Sequence, residues 1–404
     1  MGANSYSRVP RHPLRALKTS VFGALEGAKA NLATIDFSIS PSLSRALDIL
    51  RSLAAFLVVA NHIGEAMFVF EDGLDLFNLI MFQFLYLGHH AVMLLFVVSG
   101  FLIGRSAIQC FTTERQNVFD YGVDRITRIY VVLIPALIIG FVSDQILLTV
   151  STGSDFDYVG QRTSWLIFLG NIFGLQTILA PTFGSNGPLW SLACELWYYF
   201  MFPAFLVALF GESPRNRLIA LVAFVGAVLF VSDDILHYGT IWCLGVLCWL
   251  PKRAWLPKWL AWSLMIGFLA TANNELLWAN GWGFHHIVGT ALSVVLIINA
   301  HRHDRAPLKA KRLSLSKFFA KFTYSLYLYH YPPLMIVLAL LLRNHFVPYG
   351  RMGLKEGLEA LALLVSLYVY SYAWFWLTER KYYAFRAFVR GKVASLRRLV
   401  ASSA

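Results

Sequence analysis

Three polar residues in one apolar stretch could do chemistry: Asp48, Arg51 and His62 lie within RALDILRSLAAFLVVANHIG, residues 45–64. Charged side chains on a membrane helix cost a few kcal/mol each, so they usually mark a functional site or an interfacial anchor. Arg51 and His62 are eleven residues apart, which places them on one helix face, about 16 Å apart along the axis. A charged pair at one end and a titratable imidazole deeper along the same face would suit a buried reaction site. The alternative is that Asp48 and Arg51 are anchors and that His62 packs in the core.

A buried carboxylate is predicted in a second apolar segment, WSLACELWYYFMFP. Ser191 and Glu195 are one helical turn apart in this aromatic helix, and Trp190 directly precedes Ser191. Because an unpaired Glu is costly in an apolar environment, Glu195 is a candidate for a functional site. Its candidate partners are Arg51 and His62, and both Trp190 and Ser191 are candidates for binding substrate.

Three further segments carry candidate residues, each with a structural alternative. Arg125 and Arg128 share a helix face and could grip the phosphates of a cytosolic donor, although basic residues at a cytoplasmic helix end are common anchors. Ser99, in LLFVVSGFLIGRS, could hydrogen-bond across the bundle where small residues let helices approach closely. Tyr329 and His330, in TYSLYLYHYPP, could line the path of a hydroxyl-bearing substrate, but core packing explains them equally well.

Composition indicates which class of protein must position these residues. Of the 404 residues 58% are hydrophobic and only 14% are charged, against about 25% charged residues in a soluble domain. We therefore predict an all-α fold, a polytopic membrane helical bundle. The net charge of +12 resides in tails and loops, as membrane topology requires, so we do not expect nucleic acid as a partner. The four cysteines have no metal-ligand spacing, and no metal is predicted.

Apolar segments of about 17–25 residues predict ten transmembrane helices. A further apolar stretch, 165–180, is short and contains two glycines and an Asn. If it crossed the bilayer, three strongly basic regions would lie outside, so we predict a re-entrant segment near 165–187 and cytoplasmic termini. A loop with Arg343, Arg351 and Lys355 disagrees with this topology. The predicted spans are 46–69, 79–104, 129–150, 188–210, 217–232, 235–250, 257–274, 284–300, 318–342 and 354–378.

These spans predict three regions along the chain. Residues 1–44 form a cytoplasmic tail with a surface helix near 14–33 and no cleavable signal peptide. Residues 45–380 form the membrane domain, in which Glu379 and Arg380 close the last span as an interfacial pair. Residues 381–404 form a basic cytoplasmic tail. We expect a multi-pass protein of the inner or plasma membrane.

Five motifs occur along the chain in this order: Asp48-x-x-Arg51 with His62, FVVSGFLI with Ser99, Arg125-x-x-Arg128, WSLxxE with Glu195, and YSLYLYH. Together, over residues 45–380, they resemble the acyltransferase-3 family of integral-membrane acyltransferases, which O-acylate sugars of surface polysaccharides and related molecules. The second motif begins Leu95-Phe96 where the family usually has Phe-Phe. We also expect no extracytoplasmic esterase-like domain of the kind that some members append, so the membrane domain or a partner would handle the acceptor.

The resemblance implies transfer of an acyl group, most simply acetyl, from cytosolic acyl-CoA to a sugar or lipid-linked glycan hydroxyl. His62 would be the general base or a transient acyl carrier. Arg51, braced by Asp48, would stabilise the thioester oxygen or contact donor phosphates. Arg125 and Arg128, with Ser99, would bind the donor, whereas Glu195 would orient His62 or bind acceptor hydroxyls.

Two other functions stay open from the residues alone. A proton-coupled membrane transporter would also explain intramembrane Asp, Glu and His, although the chain has no internal repeat. A structural membrane subunit would leave the cost of burying Glu195 unexplained. The sequence is equally compatible with a monomer and a homodimer.

Overall fold

The computed structural model describes residues 13–70, 73–112, 118–152, 154–273, 283–304, 315–344 and 346–402. Within these ranges the chain is a helical bundle with isolated β-bridges but no strand, which confirms the all-α prediction. The helices are α1 (Pro13–Ala33), α2 (Pro41–Met67), α3 (Leu76–Leu85), α4 (Gly88–Thr112), α5 (Val118–Val150), α6 (Asp157–Gln161), α7 (Trp165–Ile172), α8 (Leu189–Phe210), α9 (Pro214–Phe230), α10 (Asp233–Leu247), α11 (Lys258–Ala270), α12 (Gly283–Arg302), α13 (Leu315–Ala320), α14 (Thr323–Tyr329), α15 (Tyr331–Arg343), α16 (Leu354–Leu377) and α17 (Tyr382–Ser402), with a 3₁₀ turn at Glu379–Lys381.

Several of these helices have the length and composition of membrane spans. Among the described residues, five segments are long and apolar enough to cross a bilayer. The α9, α10 and α11 helices have 17, 15 and 13 residues, or about 26, 23 and 20 Å, against a hydrocarbon core of about 30 Å. The bundle is that of an integral membrane protein, and the count of ten crossings stays a prediction. The five segments are Gly88–Thr112, Val118–Val150, Leu189–Phe210, Thr323–Arg343 and Leu354–Lys392.

The second predicted span, 79–104, is wrong at its start. The chain turns after α3 and begins α4 at Gly88, so the apolar run belongs to two helices. The turn packs on Asn61 of α2, whose Oδ1 accepts a hydrogen bond from the Gly88 N–H at 2.9 Å. A Cβ at Gly88 would lie 2.5 Å from the Asn61 side chain, so this close approach requires glycine.

The predicted spans 79–104 and 129–150 leave residues 105–128 as a basic loop, and this prediction is largely wrong. The α4 helix continues to Thr112 and α5 begins at Val118. Arg125 and Arg128 therefore lie on a helix, where backbone hydrogen bonds fix the direction of their side chains.

Two other apolar segments are interrupted. The predicted span 318–342 begins in α13, and α14 and α15 together form the crossing-length segment Thr323–Arg343. Pro332 and Pro333 lie in the first turn of α15, where proline is well tolerated. The stretch 165–180 contains only α7, whose eight residues extend about 12 Å, and turns follow it. This helix is too short to span a membrane, and re-entry of the segment stays a prediction.

The α4 helix is central in the bundle and packs on α2, α8, α10 and α12. Its contact with α10 depends on glycine from both helices. A Cβ at Gly100 would lie 1.9 Å from the Trp242 carbonyl oxygen, and one at Gly245 would lie 2.0 Å from the Val97 carbonyl oxygen. Small residues at such crossings let two backbones approach closely.

We expect Gly245→Ala to destabilise the protein, because overpacking of this kind costs about 1–3 kcal/mol. The expected result is a lower unfolding temperature of the detergent-solubilised protein. Gly267→Ala in α11 is the control, since a Cβ there has no atom within 4 Å and alanine is favoured in helices by about 1 kcal/mol. Equal unfolding temperatures for the two variants would contradict the close α4–α10 contact.

Candidate active site

A cavity of about 170 Å³ lies between α2, α4, α5, α8 and α14. Three guanidinium groups and one carboxylate face it, together with several hydroxyl groups. Cations, an acid and hydroxyls in one cavity can bind anions and polarise a carbonyl group. Six predicted site residues line it: Arg51, Ser99, Arg125, Arg128, Ser191 and Glu195.

Arg51 is held at this cavity by contacts from a distant segment. Its Nη2 donates a hydrogen bond to Thr323 Oγ1 on α14 at 3.2 Å. Its charged neighbours are the cation Arg128 and three carboxylates, of which Asp48 lies on the same helix. Like charges at Arg51 and Arg128 repel each other, so the carboxylates are needed to keep both arginines there.

Glu195 is one of these carboxylates. The hydroxyl groups of Ser99 and Tyr199 lie beside it, and Arg51 and Arg128 are its neighbouring cations. Trp242 Nε1 donates a hydrogen bond to Ser99 Oγ at 3.3 Å. Of the two candidate partners, the described contacts therefore bring Glu195 to Arg51 and not to His62.

Arg125 and Arg128 enter the cavity from α5. Arg125 Nη2 donates a hydrogen bond to Ser106 Oγ at 2.8 Å, and its guanidinium lies 5.3 Å from the centre of the Tyr121 ring. Its Nε is buried without a hydrogen-bond partner in the described structure. Arg125 therefore keeps a donor available for a further acceptor, whereas Arg128 lies among Arg51, Glu195 and Glu379.

The prediction that Glu379 and Arg380 form an interfacial pair is wrong. The Glu379 Oε2 accepts hydrogen bonds from Ser325 N at 3.1 Å and Ser325 Oγ at 2.7 Å, and its neighbouring cations are Arg128 and Arg51. Arg380 turns away and stacks on Trp376 at 4.1 Å. Glu379 is thus a further member of the charge cluster, and its place directly after an apolar helix was the only signal in the sequence.

We expect Glu379→Gln to destabilise the protein, because the amide removes one of the carboxylates that offset Arg51 and Arg128. Loss of a hydrogen bond to a charged group costs about 1.5–3 kcal/mol. The measurement is the unfolding temperature in detergent. The control is Glu212→Gln, an exposed carboxylate whose loss should leave that temperature unchanged.

His62 lies outside the lining of the cavity, toward the C-terminal end of α2. Its Nδ1 is 3.3 Å from Glu65 Oε2, and Asn61 Nδ2 donates a hydrogen bond to Glu65 Oε1 at 2.8 Å. Sequence reasoning missed Glu65, although spacing of three residues places it beside His62 on one helix face. His62 and Glu65 form a dyad in which the carboxylate can fix the imidazole tautomer.

His330 packs on this dyad. Its ring stacks on His62 with 5.3 Å between centroids, and Tyr331 meets His62 edge-on at 4.8 Å. The buried His330 Nδ1 is 2.9 and 3.0 Å from the carbonyl oxygens of Leu326 and Tyr327, so Nδ1 carries the proton. Its Nε2 is buried with no partner among the described residues and remains an acceptor.

The α14 helix links the two groups of residues. Tyr327 lines the cavity, and its ring lies 6.3 Å from that of His330. The Tyr327 hydroxyl is 2.6 Å from Ser191 Oγ and donates a hydrogen bond to the Pro188 carbonyl oxygen at 2.9 Å. The segment from Thr323 to His330 therefore contacts Arg51 at its first residue and His62 at its last.

Two predicted substrate-binding residues, Trp190 and Tyr329, lie outside the lining of the cavity. Trp190 packs in an aromatic cluster with His89, Phe96 and Tyr238 and is outside the lining of the cavity. Tyr329 is buried against Trp374, and its hydroxyl donates to the Val132 carbonyl oxygen at 3.2 Å. Core packing accounts for the contacts of Tyr329.

Comparison with known proteins gives one positive result. Residues 44–380 match the model of a family described as an acyltransferase domain. No curated protein and no solved structure matches the chain. The match extends from the first turn of α2 to the end of α16 and includes every residue of the cavity and of the His62 dyad, and it favours an enzyme over a transporter or a structural subunit. The chain belongs to the acyltransferase-3 family of membrane acyltransferases.

Proposed function

We propose that the protein transfers an acyl group, most simply acetyl, from cytosolic acyl-CoA to a hydroxyl group of a sugar or lipid-linked glycan. The observation that carries this proposal is the cavity in which Arg51, Arg125 and Arg128 meet Glu195. A thioester donor brings several phosphates and one polarised carbonyl, and Arg is well suited to bind both.

The donor is proposed to bind on the α5 side of the cavity. Arg125 and Arg128 contact its phosphates, and the Arg125 Nε without a partner supports this role. Ser99 and Arg51 also line the cavity, and Arg51 is proposed to join Arg125 and Arg128 in binding the donor phosphates. Asp48 and Glu379 offset the cluster of positive charge around Arg51.

The acceptor hydroxyl is proposed to be activated by His62. Glu65 accepts the Nδ1–H hydrogen bond, which leaves Nε2 free to take the hydroxyl proton. The hydroxyl oxygen attacks the thioester carbonyl, the carbon–sulfur bond breaks, and the coenzyme A thiolate leaves as the thiol with the proton that His62 took from the hydroxyl group, which restores the neutral imidazole. In a variant of this mechanism His62 first attacks the thioester and carries the acyl group transiently. Ser191 and Glu195 bind acceptor hydroxyl groups, and His330 supports the His62 ring.

The proposed topology brings donor and acceptor from opposite sides. With ten crossings, a re-entrant 165–187 segment and cytoplasmic termini in the inner or plasma membrane, Arg125 and Arg128 face the cytosol. His62 then lies toward the outer leaflet. This arrangement suits acyl transfer across the bilayer onto a surface glycan, by a monomer or a homodimer.

The decisive experiment supplies membranes that contain the protein with isotope-labelled acetyl-CoA. Mass spectrometry of extracted glycans and lipid-linked sugars is expected to show a labelled acetyl ester that is absent from membranes without the protein. The mass of the ester identifies the acyl group, and fragmentation identifies the acceptor sugar. Consumption of the donor with the label found only as free acetate would contradict transfer to a glycan.

A further inference from the structure

A second cavity, of about 410 Å³, lies outside the candidate active site, between α13 and the C-terminal end of α16. Arg380 stacks on Trp376 at 4.1 Å, and the rings of Phe318 and Tyr372 are 5.5 Å apart. The lining consists of four aromatic side chains and two cations: Phe318, Lys321, Tyr372, Phe375, Trp376 and Arg380.

The charge of this cavity is positive. Lys321 and Arg380 are both exposed, and neither takes part in an ion pair of the described residues. The nearest acid in sequence, Glu379, points the other way and is hydrogen-bonded to Ser325. Two cations beside aromatic rings form a complementary surface for an anion.

An apolar stripe on α16 leads directly into this cavity. Leu358, Leu361, Val365 and Val369 are each more than half exposed, and their spacing of three and four residues puts them on one helix face. The same face continues to Trp376, which is also about half exposed and lines the cavity. In an integral membrane protein, an exposed apolar face of this length meets lipid acyl chains.

We propose that this cavity binds the headgroup of one anionic phospholipid. Lys321 and Arg380 contact the phosphate, the aromatic rings lie at the level of the glycerol backbone, and the acyl chains follow the stripe on α16. A lipid uses both the cations and the apolar stripe, whereas a soluble phosphate would use only the cations. The site is independent of the acyl-transfer proposal.

The test uses the full-length protein in detergent with equal amounts of phosphatidylglycerol and phosphatidylcholine. Native mass spectrometry counts the lipids that stay bound. The wild type is expected to retain one phosphatidylglycerol in preference to phosphatidylcholine. Lys321→Gln/Arg380→Gln should lower this retention about 25-fold, since each basic residue near a lipid surface contributes about a fivefold preference.

Two matched variants separate a defined site from general charge attraction. Lys252→Gln/Arg253→Gln removes the same charge from an exposed loop and should retain the lipid. Trp376→Ala keeps both cations and should weaken retention by removing the ring beneath Arg380. The proposal is overturned if the wild type shows no preference, if the loop variant loses as much lipid, or if Trp376→Ala changes nothing. Displacement of the lipid by millimolar inorganic phosphate would likewise overturn a lipid site.

Discussion

Replacing His62 with Ala is expected to lower the rate of acyl transfer by about 10²–10⁴-fold, the range that general acid–base catalysis contributes. The KM for acyl-CoA should change little, because His62 is outside the lining of the cavity that holds the arginines. The measurement is transfer of labelled acetyl in membranes, with protein amounts matched. His237→Ala, an exposed imidazole on α10, is the control and should keep full activity. Undiminished turnover by His62→Ala would exclude both proposed roles of His62, general base and acyl carrier.

Glu65→Gln tests whether the carboxylate of the His62–Glu65 dyad contributes to catalysis. The amide keeps the shape of the side chain but carries no charge, so it stabilises the imidazolium that forms during the reaction less well than the carboxylate does. We expect a smaller loss of turnover than in His62→Ala, with an unchanged KM for the donor. If Glu65 were only structural, its loss would lower the amount of folded protein and leave turnover per folded molecule unchanged.

Trapping experiments distinguish the two roles proposed for His62. An acyl-imidazole intermediate would leave label on the protein when wild-type enzyme is quenched without acceptor. A general base would leave no label on the protein under the same conditions. His62→Ala is the control that must stay unlabelled in either case.

Much of the cavity could be predicted because its residues are costly in a membrane. Arg51 and Glu195 stand out from the apolar sequence around them, and helical periodicity places Arg125 beside Arg128. The packing of these segments against one another could not be predicted from the sequence. Arg51 hydrogen-bonds Thr323 across 272 residues, and no local pattern specifies such a contact.

The segment around α14 shows why helix orientation is hard to predict from sequence. TYSLYLYHYPP presents Tyr on several faces, and the packing of α14 against its neighbours decides which of them meet the cavity. Tyr327 lines the cavity, whereas Tyr329, about 160° away on the same helix, packs on Trp374. Periodicity gives the separation between residues, but packing decides which face is inside.

The predictions of an interfacial Glu379 and of a continuous span 79–104 are wrong for related reasons. A Glu at the end of an apolar helix is typical of an interfacial anchor. Only the hydrogen bond from Ser325 shows that the Glu379 side chain turns inward. The apolar run across residues 79–104 has no charged residue to mark a break. Asn61, on another helix, stabilises that turn.

Arg128→Gln is expected to raise the KM for acetyl-CoA by about 10–100-fold, because a charge-assisted contact to a phosphate is worth about 1.5–3 kcal/mol. Arg253→Gln removes one positive charge from an exposed loop and serves as the control for long-range attraction of the donor, which salt would screen. Its KM should remain close to that of the wild type.

Arg128 also lies beside Glu195 and Glu379, so its loss could act through these carboxylates rather than through the donor. Acetyl-pantetheine, which keeps the thioester but lacks the nucleotide phosphates, separates the two effects. If Arg128 binds nucleotide phosphates, wild type and Arg128→Gln should have similar KM values for this truncated donor. If the defect persists with acetyl-pantetheine, Arg128 acts by holding the carboxylates in place, and contact with the nucleotide would fall to Arg125, whose Nε lacks a partner within the described residues.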